Sequence, residues 1–149
     1  DNLLVLDTFP PVITCVTNQT LDDSADGTND CQFTVTGTGF DPSVTEPCTP
    51  TTMTNDYNNA GSLDGAVFPV GGPYTINWTV TDANDNTSTC SHTITVVDTT
   101  APTCVDQGGA INIIIGGNES VTLTADDLNI QYTDECGPVT VSFNPPTLD

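Results

Sequence analysis

From residue 74 to residue 96 the chain alternates between apolar and polar positions. Tyr74, Ile76, Trp78 and Val80 are spaced by two, with Thr75, Asn77, Thr79 and Thr81 between them. That period places one set on an apolar face and the other on a polar face of a half-buried strand. Asp82-Ala-Asn-Asp-Asn86 supplies turn-forming residues. Cys90, His92, Ile94 and Val96 then resume the alternation against Thr89, Ser91, Thr93 and Thr95. The pattern predicts a long hairpin that aims a cysteine and a histidine inward.

Shorter stretches carry the same signal. Residues 12–16 predict a strand with Ile13 and Cys15 on one face, and residues 31–37 one with Phe33 and Val35 inward. Residues 51–57 predict a strand with Met53 inward, and 66–68 a short one. Residues 18–30, 37–50, 58–65 and 69–73 concentrate Asp, Asn, Gly and Pro and are expected to be loops or turns. Later, 111–115, 121–124 and 139–143 predict strands, and Thr124 with Asp127 a single capped helical turn. No stretch shows a helical period over an ordinary helix length, so the expected class is all-β.

A seam recurs along the chain. Asp7-Thr8-Phe9-Pro10-Pro11 precedes Cys15, and Asp98-Thr99-Thr100-Ala101-Pro102 precedes Cys104. Positions 7 and 98 lie 91 residues apart, about the length of one immunoglobulin-like sandwich. Recurrence at domain spacing points to tandem modules. The expected organisation is immunoglobulin-like antiparallel β-sandwich modules. Residues 1–6 would be the last strand of a preceding module or a donated strand, 7–97 a complete module, and 98–149 the N-terminal part of a following one. The complete module is long enough to bury a core, and the partial one is not.

Composition narrows the function. Among 149 residues there are 20 acidic ones, no Lys or Arg, and a formal net charge of -20. Nucleic-acid binding needs cationic side chains to neutralise phosphates, so it is excluded. Anionic membrane surfaces are disfavoured likewise. Enzymes acting on phosphates or carboxylates generally use Arg or Lys, and neither is present. With His92 as the sole basic side chain, self-repulsion must be relieved by salt or divalent cations. Six cysteines among strands and turns point to an oxidising compartment. No apolar run reaches the ~18 residues of a membrane span, and no signal peptide opens the chain. The segment is expected to be cut from a longer secreted precursor.

Pro-Pro-Val-Ile-Thr-Cys at 10–15, Val-Phe-Pro-Val-Gly at 67–71, the Trp78 strand, Thr-Asp-Ala-Asn-Asp-Asn at 81–86 and Ser-Thr-Cys at 88–90 resemble the hyalin repeat (HYR). This is an immunoglobulin-like module found in tandem in extracellular adhesive proteins, including giant bacterial cell-surface adhesins. The resemblance covers 7–97 well and 98–149 more loosely. Asp85 stands where the family usually has Gly, and the third piece stops before its own hairpin. The resemblance implies that Cys15 pairs with Cys90 and Cys31 with Cys48. Cys104, in the position of Cys15, and Cys136 would then be unpaired here or paired outside the segment, although pairing with each other is also open. It further implies an extracellular filament or adhesin at the bacterial cell surface, with neighbouring repeats or identical subunits as partners. Residues 2–6 could then donate a strand to a neighbouring copy.

Several side chains are candidate sites, each with a plainer alternative. Asp82, Asn84, Asp85 and Asn86 offer oxygens at calcium-loop spacing, yet the same residues make a good hairpin turn. Asp22, Asp23, Asp26 and Asp30, with Asp98, could collect structural calcium or form a solvated acidic loop. No cofactor is required. Asn18, Asn77, Asn86 and Asn118 lie in N-x-S/T sequons. Asp23-Ser24-Ala25 and Asp98-Thr99-Thr100 resemble an O-glycosylation signal of bacterial surface proteins, which makes Ser24 and Thr99 candidates. His92 is expected to be a partly buried neutral histidine, and no Ser or Cys nucleophile is placed with it. The acid pairs Asp22/Asp23 and Asp126/Asp127 do not make a glycosidase pair, because adjacent strand residues face opposite ways. Trp78 is expected in the core. The chain is therefore expected to be no enzyme but a disulfide-stapled, rod-like spacer. The alternative is a carbohydrate- or ligand-binding accessory module, for which Tyr57 and Tyr132 are the available exposed aromatics.

Overall fold

In the computed structural model, which describes residues 6–48, 50–106 and 130–140, the alternating stretch forms the spine of the first β unit. The elements in chain order are β1 (Val12–Thr14), β2 (Gln19–Asp22), a 3-10 turn (Asp23–Asp26), β3 (Gln32–Thr34), β4 (Ser43–Thr45), β5 (Thr51–Asn55), β6 (Val67–Pro69), β7 (Gly71–Asp82), β8 (Thr87–Val97), β9 (Thr103–Asp106) and β10 (Ile130–Thr133). The chain divides into two units, Asp1–Asp98 and Thr99–Asp149.

In the first unit β7 and β8 pair antiparallel, with Trp78 opposite Cys90 and Ile76 opposite His92. Alternation does what its period demands. Ile76, Trp78, Val80, His92, Ile94 and Val96 are buried, while Thr75, Asn77, Thr79 and Ser91 are exposed. β5 adds antiparallel to β7 with Met53 opposite Val80, and β2 adds parallel to β8 with Leu21 opposite Val96. The four-stranded order is β2-β8-β7-β5. β3 and β6 form a separate antiparallel pair with Phe33 opposite Phe68, and β1 pairs with β4. Phe33, Val35, Leu63 and Phe68 meet Ile76, Trp78, Ile94 and Val96 in one core. Each such side chain contributes about 1.5–3 kcal/mol on burial.

Two strands form where loops are expected. β2 has a single large apolar residue, Leu21, and lies against acidic residues. Its ladder comes from the open side of β8, which local sequence does not reveal. β4 lies within the stretch 37–50 and owes its pairing to β1. The edge strand β5 is covered by its own loop. The Asn55 backbone N–H and its Nδ2 both donate to the Ala60 carbonyl oxygen, at 3.0 and 2.9 Å. Gly61 passes so close that a Cβ there would stand 3.0 Å from the Met53 carbonyl oxygen. An edge covered in this way is a poor template for foreign strands.

A disulfide joins Cys15, just past β1, to Cys90 on β8, with an S–S distance of 2.01 Å. Both cysteines are partly buried against the core that contains Trp78. The expected Cys31–Cys48 clamp is absent: Cys48 is an exposed free thiol, while Cys31 is disulfide-bonded. Cys31 adopts φ 65°, in the left-handed region. Cys136 is disulfide-bonded too, in contrast to the expectation that it lacks a partner within the segment. Cys104 is an exposed free thiol.

In the second unit β9 and β10 form an antiparallel pair with Tyr132 opposite Cys104. Thr103 and Thr133 hydroxyls lie 2.9 Å apart across it. The expected strands at 111–115 and 121–124, the turn at 124–127 and all but the first two residues of 139–143 lie outside the described residues. So do residues 2–5 of the expected donated strand; Leu6 is exposed.

Candidate functional site

The β7–β8 turn brings Asp82, Asn84 and Asn86 together. Asp85 takes the left-handed conformation, φ 65°, that closes the turn, a conformation open to Asp at modest cost. Asp82 is buried, and its Oδ1 accepts from the Asn84 and Asn86 backbone N–H groups at 2.8 and 2.9 Å. Its Oδ2 accepts from Asn86 Nδ2 at 2.9 Å, and that amide also donates to the Asp7 carbonyl oxygen at 3.2 Å. Burial alone would raise the Asp82 carboxyl, but the Asn86 and Asn84 donors outweigh it and hold the group below its ordinary range. The cluster is thus wired as a turn that also ties down the chain at Asp7.

The acidic stretch 22–30 is organised by hydroxyl and amide donors. Asp22 caps the 3-10 turn, its carboxylate accepting from Ser24 N and Oγ. Asp26 accepts from the Thr34 backbone N–H at 2.7 Å and from both donors of Thr28, and these bonds depress its carboxyl. Asp30 accepts from Thr28 and Gln32 side chains. Asp23 is fully buried. The parallel register of Asp22 with Val97 carries Asp98 to the end of β8 beside this turn.

An arrangement with no sequence signal lies elsewhere. Asp7, Glu46 and Cys48 bring two carboxylate oxygens and a thiol sulfur within 4.8 Å of one another. Asp7 Oδ1 accepts from the Phe9 N–H, while Oδ2 is shielded from solvent without a donor among the described residues. Asp7 is some forty positions from Glu46 and Cys48 and meets them through the β1–β4 pairing, so spacing along the chain could not reveal the group. They could offer oxygen and sulfur ligands to a cation.

Of the sequon asparagines, Asn77 donates its Nδ2 to Asp56 at 2.7 Å and Asn86 is committed to its turn. Asn18 is exposed and its Oδ1 accepts from Thr93 N–H. Asn118 lies outside the described residues. Ser24 and Thr99 are exposed. Asp56 is held below the ordinary carboxylate range by the Asn77 side-chain and backbone donors.

Tyr57 is stacked on Phe68 with ring centroids 4.3 Å apart, and its hydroxyl donates to the Val67 carbonyl oxygen. Burial, then the neighbouring Tyr74, pushes its phenol upward. Tyr132 is exposed on β10. His92 is 2% exposed and neither ring nitrogen has a partner among the described residues. Burial lowers its pKa below 6.5, partly opposed by the Asp41 carboxylate. No helix among the described residues is long and apolar enough to cross a membrane. Compared with models of known protein families and with curated proteins, the chain matches none.

Proposed function

We propose that this chain is a structural, adhesive segment of an extracellular filament or giant adhesin, acting as a disulfide-stapled spacer. In this reading residues 7–97 form an immunoglobulin-like sandwich of the hyalin-repeat kind and the same plan begins again at residue 98. The observation that carries it is the division of the chain between Asp98 and Thr99, inside the second Asp-Thr seam. Proline at 10, 11 and 102 restricts the freedom of each seam, so successive units would be strung with little slack. The Cys15–Cys90 disulfide supports an oxidising, extracellular setting. The mechanism is mechanical: a cross-braced unit resists opening, and neighbouring repeats or identical subunits extend the array. Structural calcium at the acidic turn and glycans on Ser24 or Thr99 belong to the same proposal.

Electron microscopy of the native material tests it. Filaments or rods with an axial repeat of one unit are expected; a compact particle with turnover on a small substrate would overturn it. Thermal unfolding with calcium against chelator tests the metal, where no change in midpoint would remove it, and an intact mass equal to that of the bare polypeptide would remove the glycans.

A further inference from the structure

The single histidine of the chain is placed where a charge is least tolerable. His92 sits in the middle of β8, opposite Ile76 and two residues from the Cys90 disulfide, with 2% of its surface exposed. Among the described residues neither Nδ1 nor Nε2 has a protein partner. Strand β7 beside it brings no compensating charge among the described residues. On β7 the facing and diagonal residues are Ile76, Trp78 and Tyr74, whose phenol donates to the Pro69 carbonyl oxygen. Asp41 is the charged group whose field reaches the ring, and its Oδ1 already accepts from the Leu63 N–H at 2.9 Å. An imidazolium here would have to lose its hydration without gaining a bonded acceptor, which is strongly unfavourable.

We propose that His92 is an acid trigger: proton uptake by its buried imidazole loosens β8 and, with it, the β2 strand bonded alongside. β2 depends on β8 for its whole ladder, and the Asn18 side chain holds the Thr93 N–H at 3.0 Å beside the histidine. The central hairpin therefore carries the chain's one histidine at a buried position. The direction follows from linkage. Burial keeps the folded imidazole neutral below its ordinary value of 6.5. The unfolded chain therefore takes the proton first, and stability present above pH 6.5 drains as the pH falls toward the folded pKa. One proton changes the folding constant by up to about tenfold per pH unit across that window. The depressed carboxyls Asp26, Asp56 and Asp82 act only below their ordinary 3.8, so the interval from about pH 6.5 to 5 isolates the histidine.

The whole chain supplies clean probes, having one histidine and one tryptophan. The imidazole proton resonances are titrated by NMR in the folded protein, and urea unfolding is followed by Trp78 fluorescence between pH 7.5 and 5. The expected result is a folded-state titration below 6.5 and a wild-type midpoint that falls with acid. In His92→Leu and His92→Gln the midpoint should be flat over the same interval. An imidazole titrating at or above 6.5, a pH-independent wild-type midpoint, or a variant with the wild-type slope would each overturn the proposal. If neither variant folds, the wild-type resonance titration decides alone.

Discussion

Cutting the Cys15–Cys90 link gives the sharpest quantitative test of this fold. The bond spans 75 positions and joins the end of β1 to β8. In the chain-entropy description, closing a loop of that length removes about 15 cal/mol/K from the unfolded chain, or ~4.5 kcal/mol at 25 °C. A second disulfide at Cys31 also restrains the unfolded chain, so that figure is an upper bound. Both sulfurs pack against the core around Trp78, and replacing them with smaller side chains adds a packing loss. The double variant Cys15→Ala with Cys90→Ala should therefore lose about 3–5 kcal/mol, a large share of the 5–15 kcal/mol that ordinary domains possess. With a urea slope of roughly 1–3 kcal/mol/M the midpoint falls by about 1–5 M. The assay is urea unfolding of both proteins by circular dichroism, without reductant. A loss under about 1 kcal/mol at unchanged slope would refute the reasoning. So would alkylation of Cys15 and Cys90 in the folded, unreduced protein.

Other outcomes follow from the same geometry. Trp78→Ala removes the largest fully buried side chain and should cost about 3–5 kcal/mol, measured by chemical unfolding with a far-ultraviolet signal. Gly72→Ala puts a Cβ at φ +104° and 2.9 Å from the Ile94 carbonyl oxygen. It should destabilise by about 2–4 kcal/mol, whereas Gly39→Ala, with open space around it, should change the midpoint little. A thiol reagent applied to the folded chain should label Cys48 and Cys104 and leave Cys15 and Cys90 unmodified, as peptide mass mapping can check. Below pH 3.8 stability should fall again as Asp26, Asp56 and Asp82, whose folded carboxyls are depressed, take up protons. Asn substitutions at these positions should flatten that limb of the curve.

Local pattern and tertiary approach divided the outcome between them. The β7–β8 hairpin, the inward set Ile76, Trp78, Val80, His92, Ile94 and Val96, the strands around Phe33 and Met53, and the all-β class were legible in the chain. A period of two is a property of the strand itself, and burial then selects its apolar side. Strand β2, strand β4 and the partner of Cys31 were not legible. Each depends on which distant backbone or sulfur lies within a few ångströms, and a short segment next to Asp or Pro does not encode that neighbour. The meeting of Asp7, Glu46 and Cys48 belongs with them. So does the severity of the His92 environment: alternation pointed the ring inward, but only the packed sheets left both nitrogens without a partner among the described residues. Sequence by itself determined the faces and the turns, because those are set by covalent geometry over a few residues. Tertiary structure decided which faces and termini meet, because contacts across dozens of residues form only when the whole unit closes around its core.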